Sequence, residues 1–133
     1  MSGTPADKEK LFKQLANLAD ERSQRNFLSQ NQELLRSEIV SEISDHVREQ
    51  VRVDVQQALH LAEVALIIAQ EIGDKESLAR ALRAKANVLY TRGENASAVD
   101  LHEQAVALFE AVGKSNEAAR TLSSSIQPLL LMG

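Results

Sequence analysis

The chain repeats itself at an interval of 40 residues, and this interval restricts the possible folds more than any other feature. Laying residues 54–93 over 94–133 gives ten identities. Ala58 meets Ala98, Leu61 meets Leu101, Glu63 meets Glu103 and Ala65 meets Ala105. Gly73 meets Gly113, Ala79 meets Ala119, Arg80 meets Arg120, Leu82 meets Leu122, Leu89 meets Leu129 and Gly93 meets Gly133. Conservative pairs lie between them: Leu59/Val99, Leu66/Val106, Ile68/Leu108 and Ile72/Val112. A period between about 20 and 50 residues marks stacked supersecondary units, each burying its apolar face against its neighbours.

Each unit reads as two helices. Gly73 ends one helix in the left-handed conformation and Asp74 caps the next. Leu78, Leu82, Ala86 and Leu89 then recur at helical spacing, Gly93 ends that helix, and Asn95 is expected to cap the following one. Ala98, Leu101, Ala105, Leu108 and Val112 form its apolar stripe. A turn of about two residues makes the helices of a pair antiparallel. Composition agrees. Hydrophobic residues make up 44% of the chain, Gly and Pro number only 5 and 2, and helix formers dominate. A sandwich or barrel needs many more turn residues.

Upstream the pattern is less regular. Thr4 and Pro5 open a helix, Thr4 as the cap and Pro5 in its first turn. Leu11, Phe12, Leu15, Leu18 and Ala19 form a stripe that predicts this helix to about Glu21, with Asp20 and Glu21 as its solvated end. A short helix is predicted over 24–31, carrying Phe27 and Leu28. Ser37 is expected to cap a helix with inward Ile39, Val40, Ile43, Val47 and Val51. Asp54 caps the next, with Ala58, Leu61, Ala62, Ala65, Ile68 and Ile72 inward. The expected organisation is one helical-repeat domain over 1–133. Residues 1–36 form an irregular cap, 37–73 a degenerate repeat, 74–113 the best repeat and 114–133 the first helix of an incomplete one.

These residues resemble the tetratricopeptide repeat. Leu82, Ala86, Leu89 or Tyr90, Gly93, Ala98 and Ala105 fill that family's bulky, small, aromatic, turn-glycine and alanine positions. Leu82 replaces the aromatic Trp, Lys85 stands where Leu is usual, and His102 takes a second aromatic place. The interval of 40 points to a longer-repeat branch. The resemblance implies an all-α fold of antiparallel helix pairs stacked as a short right-handed solenoid. It implies a scaffold or sensor that binds a protein or peptide by its concave face, with no enzyme activity of its own. A further resemblance, carried by Asn26-Phe27-Leu28 through Leu34-Leu35, by 78–90 and by Arg120 to Leu129, is to the N-terminal region of bacterial CHAT proteins. Those join such repeats to a caspase-like peptidase. It implies the alternative of a structural or oligomerisation segment packed against another domain.

Catalytic constellations are not legible. Cysteine is absent, which removes a thiolate nucleophile and Cys-based metal sites. His46, His60 and His102 fall at no ligand spacing, although Glu42 and His46 share a helix face. Ser123, Ser124 and Ser125 have no nearby base, and no glycine-rich loop follows a strand. No cofactor and no metal are expected. A net charge of −4 argues against nucleic-acid binding. The polar N-terminus is not a secretory signal, and the apolar stretch 62–69 is far shorter than the roughly 20 residues of a membrane span. A cytoplasmic location is expected.

Charge is distributed unevenly. Residues 75–92 hold five bases (Lys75, Arg80, Arg83, Lys85 and Arg92) and one acid, Glu76, whereas 94–112 hold four acids and no base. Two readings are open: pairing between adjacent helices, or a basic groove. In the family resembled, first helices line the groove, which would hold Arg80, Arg83, Asn87, Tyr90, Arg120 and Gln127. Arg83 and Asn87, one turn apart, resemble the basic-plus-Asn pair that grips a peptide carboxylate, so an acidic or C-terminal carboxylate partner is expected. The 114–133 segment carries Leu122, Ile126, Leu129, Leu130, Leu131 and Met132. Ile126, Leu129, Leu130 and Met132 are expected to form an oligomer surface for a symmetric dimer, with Pro128 kinking the helix.

Overall fold

A computed structural model describes residues 5–132. It contains eight α-helices: α1 (Pro5–Ala16), α2 (Glu21–Gln30), α3 (Ser37–Gln50), α4 (Val55–Ile72), α5 (Lys75–Thr91), α6 (Asn95–Ala111), α7 (Ser115–Ser124) and α8 (Ile126–Met132). A single 3-10 turn covers Gln32–Leu34, and no strand occurs among the described residues. The expected cap at Thr4 and the match of Gly133 to Gly93 lie outside the described residues. The fold is an all-α stack of helix pairs, α3 with α4 and α5 with α6, and α5 also packs on α3 and α4.

The turns follow from three glycines. Gly73, Gly93 and Gly113 have φ of 67°, 81° and 75°, a region that L side chains enter at a cost of about 1–2 kcal/mol. At Gly93, the Glu94 N–H donates to Leu89 O and the Gly93 N–H to Tyr90 O, closing the last turn of α5. Gly113 repeats this: Lys114 N–H donates to Phe109 O and Gly113 N–H to Glu110 O. Asp54 and Asp74 cap α4 and α5 by accepting from the Gln57 and Ser77 N–H groups, each at 3.0 Å.

Two expected caps are displaced by one residue. Arg36 and Glu94 hold the cap positions of α3 and α6, and neither makes a side-chain capping bond. Ser37 is instead the first helical residue of α3 and donates to Glu38. Asn95 is the first residue of α6, and its Oδ1 is buried without a partner.

At the N-terminal end, α1 stops at Ala16 rather than near Glu21. Tertiary donors take the carbonyls beyond that point: His60 Nδ1 donates to Ala16 O at 2.6 Å, and Gln24 Nε2 to Leu18 O at 2.9 Å. Asp20, expected as a helix end, caps α2 through a reciprocal box with Ser23. Its carboxyl is held below the ordinary range by the Ser23 N–H and hydroxyl.

One core cluster runs from α1 to α6 and includes Leu15, Val40, Ile43, Val47, Leu61, Ala65 and Ile68, all buried as their spacing predicts. A smaller one joins α5, α6 and α7 through Ala79, Leu82, Ala105, Phe109 and Ala118. In α6 the inward stripe is rotated from the expected one. Ala98, His102, Ala105 and Phe109 are buried, Leu101 and Leu108 are half-buried, and Val112 is exposed. The predicted single helix over 115–132 is two helices, broken at Ser125. Pro128 has no N–H for the Ser124 carbonyl, and its ring crowds that carbonyl, so the break falls ahead of the proline, which sits in the first turn of α8.

Candidate functional site

The first helices α3, α5 and α7 bring the predicted groove residues together in part. Between α3 and α5 lies a cavity of about 300 Å3. From α5 it is lined by Arg80, Arg83, Asn87 and Tyr90, four of the six residues expected in a groove. Arg120 and Gln127 are not among its lining residues and are exposed. Two further guanidinium groups come from α3 and the turn after it, Arg48 and Arg52, with Asp45 as the one acid in the lining. Ser44, also in the lining, has its Oγ buried without a partner.

The six groove residues differ in availability. Arg83 is only 11% exposed and pairs with Glu117 of α7 at 2.9 Å. It also donates to Thr121 Oγ1 at 3.2 Å, and its guanidinium lies 5.0 Å from the Phe109 ring centroid. Burial lowers its pKa, with the Arg80 and Arg48 charges acting in the same direction and Glu117 opposing them. Arg80 pairs with Glu76 at 2.9 Å and with Glu117 at 3.6 Å, and lies 5.9 Å from the same ring. Arg120 also approaches Glu117, at 3.6 Å. Burial pushes the Glu117 carboxyl up, but the Arg83 hydrogen bond and the charges of Arg83, Arg80 and Arg120 outweigh it and hold the group below its ordinary range.

Asn87 is engaged as well. His102 Nε2 donates to Asn87 Oδ1 at 3.2 Å, which fixes the tautomer and leaves His102 Nδ1 a buried acceptor without a partner. Burial lowers the His102 pKa, and the Arg83 charge lowers it further. The Arg83–Asn87 pair therefore faces internal partners. Among the described residues, Arg48 and Arg52 have no acid within ion-pairing distance.

Of the two readings of charge, pairing holds for α5, but with unexpected partners. Its arginines are met by Glu76 at its own N-terminus and Glu117 on the next first helix. Asp100, Glu103 and Glu110 of α6 enter no ion pair among the described residues. Arg48 and Arg52 were outside the sequence-predicted site. One signal was available: moving the 40-residue register one unit upstream sets Arg52 on Arg92 and Asp54 on Glu94. Phe109 was missed because it belongs to the rotated stripe.

Among the described residues, the histidines and the 123–125 serines have the following surroundings. His60 and His102 are buried in structural hydrogen bonds, and His46 stacks on Phe12 at 4.8 Å between ring centroids. Ser125 is buried and donates to Leu122 O. Among the described residues no three His, Asp or Glu side chains converge on a metal position, and no helix is long and apolar enough to cross a membrane.

Comparison with known proteins places one stretch. Residues 53–111, which span α4, α5 and α6, match the family model of the tetratricopeptide repeat. No curated protein and no solved structure matches the chain.

Proposed function

We propose that the chain is a recognition module that docks an acidic protein segment, by a side-chain or C-terminal carboxylate, in the α3–α5 cavity. Tetratricopeptide repeats generally mediate protein–protein interaction, and the matched stretch includes one wall of that cavity. The observation that carries the acidic preference is the lining: four guanidinium groups against one carboxylate, with Arg48 and Arg52 in no ion pair among the described residues. A guanidinium binds a carboxylate through two parallel donors. Tyr90 and Thr91 add hydroxyl groups to the same wall. The chain acts by binding, in a single soluble domain working in the cytoplasm, and the reading needs no metal, cofactor or nucleic acid.

The test is fluorescence anisotropy with a labelled Asp/Glu-rich peptide ending in a free carboxylate, beside its amidated form and a neutral peptide of equal length. The acidic peptide is expected to bind in a salt-dependent way. Arg48→Ala with Arg52→Ala should weaken it by about 1.5–3 kcal/mol per charged hydrogen bond lost. Equal binding of the neutral peptide, or an unchanged double variant, would overturn the proposal.

A further inference from the structure

Behind the α5 wall of the cavity lies a buried histidine that does not line it. Among the described residues, the one hydrogen bond of the His102 side chain is to Asn87, and its Nδ1 has no partner. Such a ring is costly, because a buried polar atom left unbonded forfeits its hydration. The repeat does not demand it. Moved one unit upstream in the 40-residue register, positions 87 and 102 become Val47 and Ala62, both buried and apolar. The α3–α4 pair fills those positions without a polar group. The reason for the Asn87–His102 pair therefore lies outside the packing of the helices.

The bond fixes which way the Asn87 amide faces. An asparagine side chain has an acceptor at one end and two donors at the other, in nearly the same shape, so an unheld amide turns to suit its surroundings. Burial and the Arg83 charge keep the imidazole neutral at neutral pH, with one protonated ring nitrogen. With that proton on Nε2, the ring donates to Asn87 Oδ1 at 3.2 Å and the orphaned Nδ1 is an acceptor. The reverse arrangement would orphan a buried N–H, which folded proteins seldom do. Nδ2 is then the end left to the cavity that Asn87 lines, and among the described residues it is neither buried nor bonded.

We propose that His102 is a positioning residue for the α3–α5 cavity: by holding Asn87 Oδ1 it presents Nδ2 to the cavity as a fixed donor, which favours a docked group that only accepts hydrogen bonds, a carboxylate. This rests on the reading of the cavity as the docking site of an acidic segment. His102 touches no ligand and acts through Asn87. On the same wall Arg80 and Arg83 share their donors with Glu117, so the amide adds a donor that no internal acceptor takes.

The test is binding of the labelled acidic peptide to the full chain and its variants, each checked for folding by circular dichroism. His102→Leu fills the buried site but cannot hold the amide, and should weaken binding about tenfold. His102→Gln keeps a donor for Asn87 Oδ1 and should bind within about twofold of wild type. In an Asn87→Leu background, His102→Leu should cost nothing further, because the amide through which it acts is gone. Long-range 1H–15N NMR of the wild-type imidazoles reads the ring directly, whether or not a variant folds, with the His102 signals assigned by their loss in His102→Gln. The proton should sit on Nε2. A proton on Nδ1, a folded His102→Leu that binds like wild type, a His102→Gln as weak as the Leu variant, or a further loss in the Asn87→Leu background overturns the inference and leaves the cavity reading standing. A wild-type chain that does not bind the acidic peptide overturns the cavity reading, and this role with it.

Discussion

Phe109 is the side chain on which the α5–α6–α7 packing depends, and truncating it tests the arrangement directly. Its ring is fully buried, in a cluster whose other buried members are Ala79, Leu82, Ala105 and Ala118. Three of those four are alanines with nothing to extend into a void, and the partly buried Leu66, Leu78, Leu101, Val106 and Leu108 packed against the cluster would fill it only in part. Phe→Ala changes in cores cost about 3–5 kcal/mol. The ring also carries the Arg83 and Arg80 guanidiniums at 5.0 and 5.9 Å, contacts worth about 0.5–1 kcal/mol each. A loss of about 4–5 kcal/mol is expected from Phe109→Ala, a large share of the roughly 5–15 kcal/mol that holds a domain together. Phe109→Leu keeps most of the volume but loses the ring face, and should cost about 1–2 kcal/mol. Urea unfolding followed by circular dichroism gives both values. Hydrogen exchange should show the lost protection centred on α6 and α7, with α3 and α4 least affected. A cost below about 2 kcal/mol for Phe109→Ala, or loss of protection spread evenly over the chain, would refute the reasoning that this ring pins α7 to α5.

Two further outcomes are expected. Glu117→Gln removes the carboxylate shared by Arg83, Arg80 and Arg120, and leaves Arg83 nearly buried beside other cations. It should cost about 1–3 kcal/mol in urea unfolding and tighten acidic-peptide binding by freeing Arg80 and Arg83; unchanged stability would contradict the pairing role. Stability should also fall on acidification. His102 has a folded pKa below its ordinary 6.5, so as the pH drops below 6.5 the unfolded chain takes up the proton first. This part of the stability is complete above pH 6.5 and declines down through the folded pKa, and the depressed Glu117 carboxyl adds a second loss at lower pH. His102→Gln should flatten the first part of the curve, and an equally steep decline in that variant would assign it to other groups.

Much of the backbone was legible because its determinants are local. Gly73, Gly93 and Gly113 mark turns that need positive φ, and the Asp54 and Asp74 caps act within three residues. The repeat register carried the helix pairs over the matched stretch. The early end of α1 was not legible, because the side chain that captures its last carbonyl, His60, lies 44 positions away, and Gln24, which holds the Leu18 carbonyl just beyond it, lies on the next helix. The α6 stripe was misread by one residue for a related reason. His102 reads as polar, and only its bond to Asn87 makes its burial tolerable. For the candidate site, the sequence placed Arg80, Arg83, Asn87 and Tyr90 on one wall. It could not show that three of them, Arg80, Arg83 and Asn87, are held by internal partners, since Glu117 is 34 residues beyond Arg83 and His102 is 15 beyond Asn87.

The position of the candidate site follows from which cations those acids reach. Carboxylates favour the first turn of a helix, where the dipole is positive, and the first helices follow that rule with Glu38, Glu76 and Glu117. Stacking sets the N-terminal acid of one first helix beside the previous one. Glu117 thereby reaches back to Arg80 and Arg83 and neutralises the α5 side of the α5–α7 junction. Glu76 does not do the same for α3. It turns to Arg80 on its own helix, at 2.9 Å, and to Lys114 at 4.0 Å. Among the described residues Arg48 and Arg52 consequently have no ion-pair partner, beside a cavity in which Asp45 is the one acid. An anionic ligand entering between α3 and α5 would complete there the pairing that Glu117 completes one unit further along.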